Sequence, residues 1–93
     1  MTATIDERFR EFHKQHPEVM RELLELCDEA LAAGRTRIGM KQLFEVVRWH
    51  RIINPHPKGD FKLNNSYTSR YARLIMRRLK YRGLFETRTL KAA

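Results

Sequence analysis

Residues 65–82 read NSYTSRYARLIMRRLKYR, and this stretch carries most of the argument about the fold. On a helix with 3.6 residues per turn, five apolar side chains share one broad arc: Tyr67, Tyr71, Leu74, Ile75 and Leu79. Four cations lie on the other side, within about 80° of one another: Arg70, Arg73, Arg77 and Lys80. The spacing predicts one amphipathic helix from Asn65 to about Lys80, with a basic stripe facing outward.

The basic stripe has no acidic residue near it in the chain. No Asp or Glu occurs between Asp60 and Glu86, so no carboxylate can pair with the stripe four residues along the helix. The like charges of the stripe repel one another, and a polyanionic partner would relieve that repulsion. B-DNA is favoured as the partner because its major groove admits a helix. RNA, an acidic lipid surface and an acidic protein face are alternatives. The predicted nucleic-acid contacts are Asn65, Ser66, Ser69, Arg70, Arg73, Arg77, Lys80 and Arg82.

Charge is divided unevenly along the 93 residues, whose net charge is +8. Residues 1–33 contain four basic and eight acidic side chains, whereas residues 34–93 contain fifteen basic and three acidic ones. A basic surface of that density attracts phosphates at long range. The asymmetry therefore also favours a negatively charged partner.

The acidic first third is predicted to form two helices. Ile5 to Gln15 has apolar residues at helical spacing after a capping Thr4, and Pro17 suits the first turn of a second helix running to about Ala33. Four carboxylates occupy one side of that second helix: Glu18, Glu22, Glu25 and Glu29. This acidic face is interpreted as solvated, or alternatively as a contact face for a protein partner.

The remaining pattern predicts a further helix from Met40 to about Arg51 and short strands at residues 35–38, 61–63 and 84–90. The element order indicates a mostly α fold with a small β component (α+β), a compact winged-helix-like domain of three to four helices and two or three short strands. A single domain is predicted over residues 1–93, with a helical segment at 4–33 and a basic winged-helix-like part at 35–93. Because the connection from Ile52 to Asn64 is long for a helix-turn-helix, a different α+β arrangement is an alternative.

Several classes of chemistry lack a signature. The four histidines are scattered, and no phosphate-binding glycine loop, nucleophile motif or acid–base pair is visible, so no enzyme, metal or cofactor is predicted. Cys27 shares the apolar face of the second helix and is expected to be buried. Without a membrane span or signal peptide, a cytoplasmic location is expected. Trp49 is expected to pack against another element, an exposed stacking platform being the alternative.

A family resemblance adds an origin. The stretch FKLNNSYTSRYARLIM at 61–76, GLFETR at 83–88, Phe12-His13 before His16-Pro17, and Ile38-Gly39 leading to VRWH at 47–50 resemble small uncharacterised proteins encoded by phages and prophages. The resemblance spans most of residues 9–90. It implies a bacteriophage origin and action inside a bacterial host cell, and it offers no catalytic residues to carry over.

Three functions follow as hypotheses. The leading one is a bacteriophage DNA-binding protein, regulatory or accessory, that contacts double-stranded DNA through residues 65–82. The alternative is an early phage protein that binds and inhibits a host bacterial protein through its basic or its acidic face. Self-association, with the acidic helix of one copy against the basic helix of another, is a third.

Overall fold

Four helices make up the computed structural model, which describes residues 3–55 and 61–86. They are α1 (Ile5–Gln15), α2 (Pro17–Ala32), α3 (Met40–Ile53) and α4 (Thr68–Met76). Single turns of 3-10 helix lie on either side of α4, at Asn65–Tyr67 and Leu79–Tyr81. The predicted bounds of the first three helices therefore agree with the structure to within two residues at each end.

Local signals set the ends of α1 and α2. The Thr4 hydroxyl accepts a hydrogen bond from the Glu7 amide at 3.1 Å and so caps α1. Pro17 opens α2, where its missing amide hydrogen costs nothing. Gly34 follows α2 with φ of 83°, and the next amide donates back to the Ala30 carbonyl at 3.0 Å. Such signals lie within a few residues of the boundary that they set.

The core is centred on Tyr71 of α4, whose side chain is fully buried. Its ring meets Phe9 of α1 edge-on, with centroids 4.8 Å apart, and Phe44 of α3 at 5.9 Å. Leu23 of α2 and Leu84, which follows the second 3-10 turn, belong to the same buried cluster. These contacts place α4 between α1 and α3.

The predicted α+β winged-helix class is wrong. Within residues 3–55 and 61–86 the fold is all-helical, and its β structure is one isolated bridge between Ile38 and Phe85. The Ile38 amide donates to the Leu84 carbonyl at 2.9 Å, but no ladder extends from that contact as far as Glu86, where the second described range ends. At 61–63 no strand forms, and the Leu63 carbonyl accepts instead from the Arg48 guanidinium. Residues 87–90 of the predicted final strand lie outside the described residues.

The predicted length of the basic helix is also wrong. α4 has nine residues instead of about sixteen, and Arg78 adopts an extended conformation with ψ of 131°. Continuing the helix would have turned Arg78 toward the core face of Tyr71 and Ile75, where an unpaired charge is costly. The chain turns away instead, leaving Leu79 80% exposed and burying Tyr81.

None of the helices in the described ranges has the length and apolar character needed to cross a membrane.

Candidate nucleic-acid interface

The four stripe cations do not share one helix. Arg70 and Arg73 lie on α4, Arg77 is its C-terminal cap, and Lys80 lies in the second 3-10 turn. The break at Arg78 therefore separates Lys80 from the other three. The four cations therefore have different surroundings.

Arg70 is held by a carboxylate from the other end of the chain. Its Nε donates to Asp6 Oδ1 of α1 at 2.6 Å, and a terminal nitrogen donates to the Ser66 carbonyl at 3.1 Å. These bonds tie α1 to α4 across the surface. Arg70 is thus engaged within the protein, against the expectation that no carboxylate neutralises the stripe.

Lys80 is neutralised in the same way by α2. Its Nζ lies 2.8 Å from Asp28 Oδ1, and the Tyr81 hydroxyl donates to the same oxygen at 2.6 Å. The hydrogen bonds from Lys80 and Tyr81 lower the pKa of Asp28 below its ordinary 3.8, and the bond to Asp28 raises the pKa of Lys80. Half of the predicted stripe is therefore paired with acids from the amino-terminal third.

Arg73 and Arg77 are in a different position. Both side chains are exposed, and neither forms an ion pair with any residue in 3–55 or 61–86. They line a depression of about 370 Å³ between α4 and α1, whose α1 wall carries Arg10 and Lys14. Among the described residues of that lining, Asp6 is the one carboxylate, and it is paired with Arg70. The depression therefore presents mainly positive charge.

A second depression, of about 490 Å³, continues this surface toward α2. It shares His13, Leu74 and Arg77 with the first depression and adds Arg21 and Arg78. No carboxylate belongs to its described lining. The two depressions together form what we call the basic face, whose exposed cations are Arg10, Lys14, Arg21, Arg73, Arg77 and Arg78.

Four of these cations were missed by sequence reasoning. Arg10, Lys14 and Arg21 belong to the acidic third of the chain, and Arg78 falls on the apolar arc of the longer predicted helix. Arg10 and Lys14 are four residues apart on α1, a spacing that places them on one side of the helix. That spacing was the available signal. Only the packing of α1 and α2 beside α4 brings Arg10, Lys14 and Arg21 next to Arg73 and Arg77.

The other predicted nucleic-acid contacts are dispersed. The Asn65 side chain accepts a hydrogen bond from Arg48, and the Ser66 carbonyl accepts one from Arg70. Ser69 is half-buried and faces a depression on the other flank of α4, and Arg82 is exposed beyond the second 3-10 turn. Asn65 and Ser66 therefore serve local structure, and neither lines the basic face.

The predicted acidic partner face is partly used inside the fold. Glu22 lies 2.6 Å from His50 Nδ1 and 3.9 Å from Arg51, which joins α2 to α3. Glu18 lies 3.2 Å from His16. Glu25 and Glu29 are exposed. The face is thus divided between structural pairs and exposed carboxylates.

An apolar patch is exposed at the end of α3. Trp49, Ile52 and Ile53 are 58%, 71% and 61% exposed, and their spacing of three and four residues places them side by side. The expectation that Trp49 packs against another element is wrong. Adjoining exposed apolar side chains of this size are typical of interaction surfaces.

The described ranges hold few features of a metal site or of a reactive thiol. No group of three or more His, Cys, Asp and Glu side chains is placed to hold a metal ion there. Burial raises the pKa of the Cys27 thiol to about 11, so the thiolate needed for nucleophilic chemistry is scarce at neutral pH.

No protein-family model, curated protein sequence or solved structure matches this chain. The proposed function therefore rests on the geometry and charge of the described surface.

Proposed function

We propose that this protein binds DNA through the basic face. The observation that carries the proposal is the pair Arg73 and Arg77, which are exposed and lack a carboxylate partner among the described residues. Both line the depression between α4 and α1, and Arg77 also lines the second depression. Phosphate contacts by such cations supply most of the affinity of proteins for nucleic acids. The resemblance to phage-encoded proteins implies action inside a bacterial host cell, and the role proposed there is regulatory or accessory.

The proposal differs from a single recognition helix in the residues that it uses. Arg70 and Lys80 are paired with Asp6 and Asp28, so a phosphate would have to displace a carboxylate to reach them. The phosphate contacts are instead proposed for Arg10 and Lys14 of α1 and Arg21 of α2, besides Arg73 and Arg77. Because these cations come from separate elements, the affinity depends on the folded protein rather than on residues 65–82 as a peptide.

The test is fluorescence anisotropy with a labelled DNA duplex across a series of salt concentrations. Replacing Arg73 and Arg77 together by alanine is expected to weaken binding at least tenfold and to reduce the slope of log K against log salt by about 2. A charge-matched control replaces Arg35 and Lys62, which are exposed and line neither depression of the basic face. The control should keep the slope of the unchanged protein.

Two outcomes would overturn the proposal. One is the absence of duplex binding even at low salt. The other is an equal loss of affinity and slope in the Arg73/Arg77 variant and the Arg35/Lys62 control, because overall charge and not the basic face would then be responsible.

A second candidate function is favoured by the exposed patch of Trp49, Ile52 and Ile53. In this proposal a host protein with an apolar groove receives the Trp49 ring, since tryptophan is enriched among the residues that dominate protein interfaces. Capture of one host protein from nuclease-treated lysate should be lost in a Trp49→Ala, Ile53→Ser variant and retained in the Arg73→Ala, Arg77→Ala variant. Capture that depends on the arginines, or that disappears with nuclease, would contradict it.

A further inference from the structure

α4 lies between two depressions. Arg70 and Arg73 line both of them. The depression of about 370 Å³ separates α4 from α1, and one of about 810 Å³ separates it from residues 37–42, at the start of α3. The exposed side of α4 therefore forms a ridge with a trough on either flank.

Cations stand on the outer walls of both troughs. Arg10 and Lys14 occupy the α1 wall, and Arg37 and Lys41 occupy the wall at the start of α3. All four are exposed. Arg37 lies 3.8 Å from Glu86, and the two side chains are 66% and 82% exposed. Ion pairs that are so exposed to water contribute little free energy, so a DNA phosphate can replace Glu86 as the partner of Arg37.

We propose that α4 enters the major groove of duplex DNA and that the two walls contact the phosphates of opposite strands. This inference rests on the proposed DNA-binding function and adds the orientation of the ligand. A helix with its side chains is about 10–12 Å across, which matches a major groove of about 12 Å. The cations of the two walls lie on either side of α4, as the two backbones lie on either side of a helix in the groove.

The surroundings of α4 favour a duplex over a single strand. Single-strand binding uses exposed aromatic rings on which bases stack. Among the described aromatic rings in the two linings, Phe9 and Phe85 are buried and His13 is half-buried, and the exposed Trp49 lines neither trough. Duplex RNA is disfavoured because its major groove is too deep and narrow for a helix.

The experiment compares Arg10→Ala, Lys14→Ala with Arg37→Ala, Lys41→Ala in the full chain. Each double variant is expected to reduce the salt slope for duplex DNA by about 2, because each removes two phosphate contacts. Phosphate-ethylation interference on the unchanged protein should mark both strands across one major groove. Each variant should lose the interference on one strand only, and the affected strand should differ between the two variants. The Arg35→Ala, Lys62→Ala variant controls for the loss of two positive charges. Thermal melting checks that each variant is folded.

The results separate the inference from the proposed function. If Arg73→Ala, Arg77→Ala weakens binding but either wall variant leaves the slope unchanged, the orientation is wrong and DNA binding stands. Interference confined to one strand, or equal affinity for duplex RNA or single-stranded DNA, also overturns the orientation. If the unchanged protein binds no duplex at low salt, both proposals fail.

Discussion

Asp28 is the residue that holds the chain after α4 against α2. One of its oxygens accepts a hydrogen bond from Tyr81 and lies 2.8 Å from the Lys80 ammonium. No local signal in the sequence predicts this contact, because Asp28 lies more than fifty positions before Lys80 and Tyr81. Its effect is to neutralise Lys80 and to fix the buried position of Tyr81.

Replacing Asp28 by asparagine should lower thermal stability near neutral pH, since the charged acceptor of both bonds is lost. The pKa of the carboxyl is lowered in the folded protein, so its stabilising contribution is complete above the ordinary value of 3.8 and is lost as the pH falls through the folded-state pKa. The difference in melting temperature between the two proteins should therefore shrink below about pH 4. Tyr81→Phe isolates the hydroxyl bond, and a pH-independent difference would contradict this account.

The Tyr71 side chain is fully buried, yet its hydroxyl group has no hydrogen-bond partner among residues 3–55 and 61–86. Burial also raises the pKa of this phenol above its usual range. Removing an unpaired buried polar group relieves its desolvation, so Tyr71→Phe is expected to raise the free energy of unfolding by about 1 kcal/mol. Urea denaturation measures the change, and Tyr71→Leu, which should be destabilising, serves as the comparison. A less stable phenylalanine variant would mean that the hydroxyl is satisfied, for example by a buried water.

At the scale of elements, α1, α2 and α3 could be predicted because their signals are local. The Thr4 cap, Pro17 and the apolar spacing of Met40, Leu43 and Val47 act within a few residues. The length of α4 could not be predicted from its own periodicity. It ends because Arg78 would meet the core, and the position of that core depends on α1 and α3 packing on Tyr71. The strands predicted at 35–38 and 61–63 failed for a similar reason, since pairing needs a distant partner and Ile38 meets Phe85 in an isolated bridge within the described part of the chain.

The Thr4 cap gives a prediction at this scale. Thr4→Ala removes the acceptor for the Glu7 amide and should cost about 1 kcal/mol of stability. Because α1 supplies Arg10 and Lys14 to the basic face, fraying of its first turn should also weaken DNA binding slightly. Thr4→Ser retains the acceptor and should behave like the unchanged protein in urea denaturation. Equal stability of the alanine and serine variants would show that the cap contributes nothing.

At the scale of the whole molecule, the acidic and basic parts of the chain do not form separate acidic and basic surfaces. Asp6 and Asp28 of the acidic third are paired with Arg70 and Lys80, while Arg10 and Lys14 join the basic face. The sequence therefore indicated a basic surface, and the residues predicted for it included two of the exposed cations of the basic face, Arg73 and Arg77. It could not indicate which cations are neutralised, because that depends on how helices distant in sequence pack together.

The central claim is that exposed cations gathered from several helices bind phosphates. Its most direct test is the salt dependence of duplex binding by the unchanged protein and by Arg73→Ala, Arg77→Ala. Each lost phosphate contact should reduce the slope of log K against log salt by about 0.9, so the account predicts slopes that differ by about 2. Parallel lines for the two proteins would contradict it.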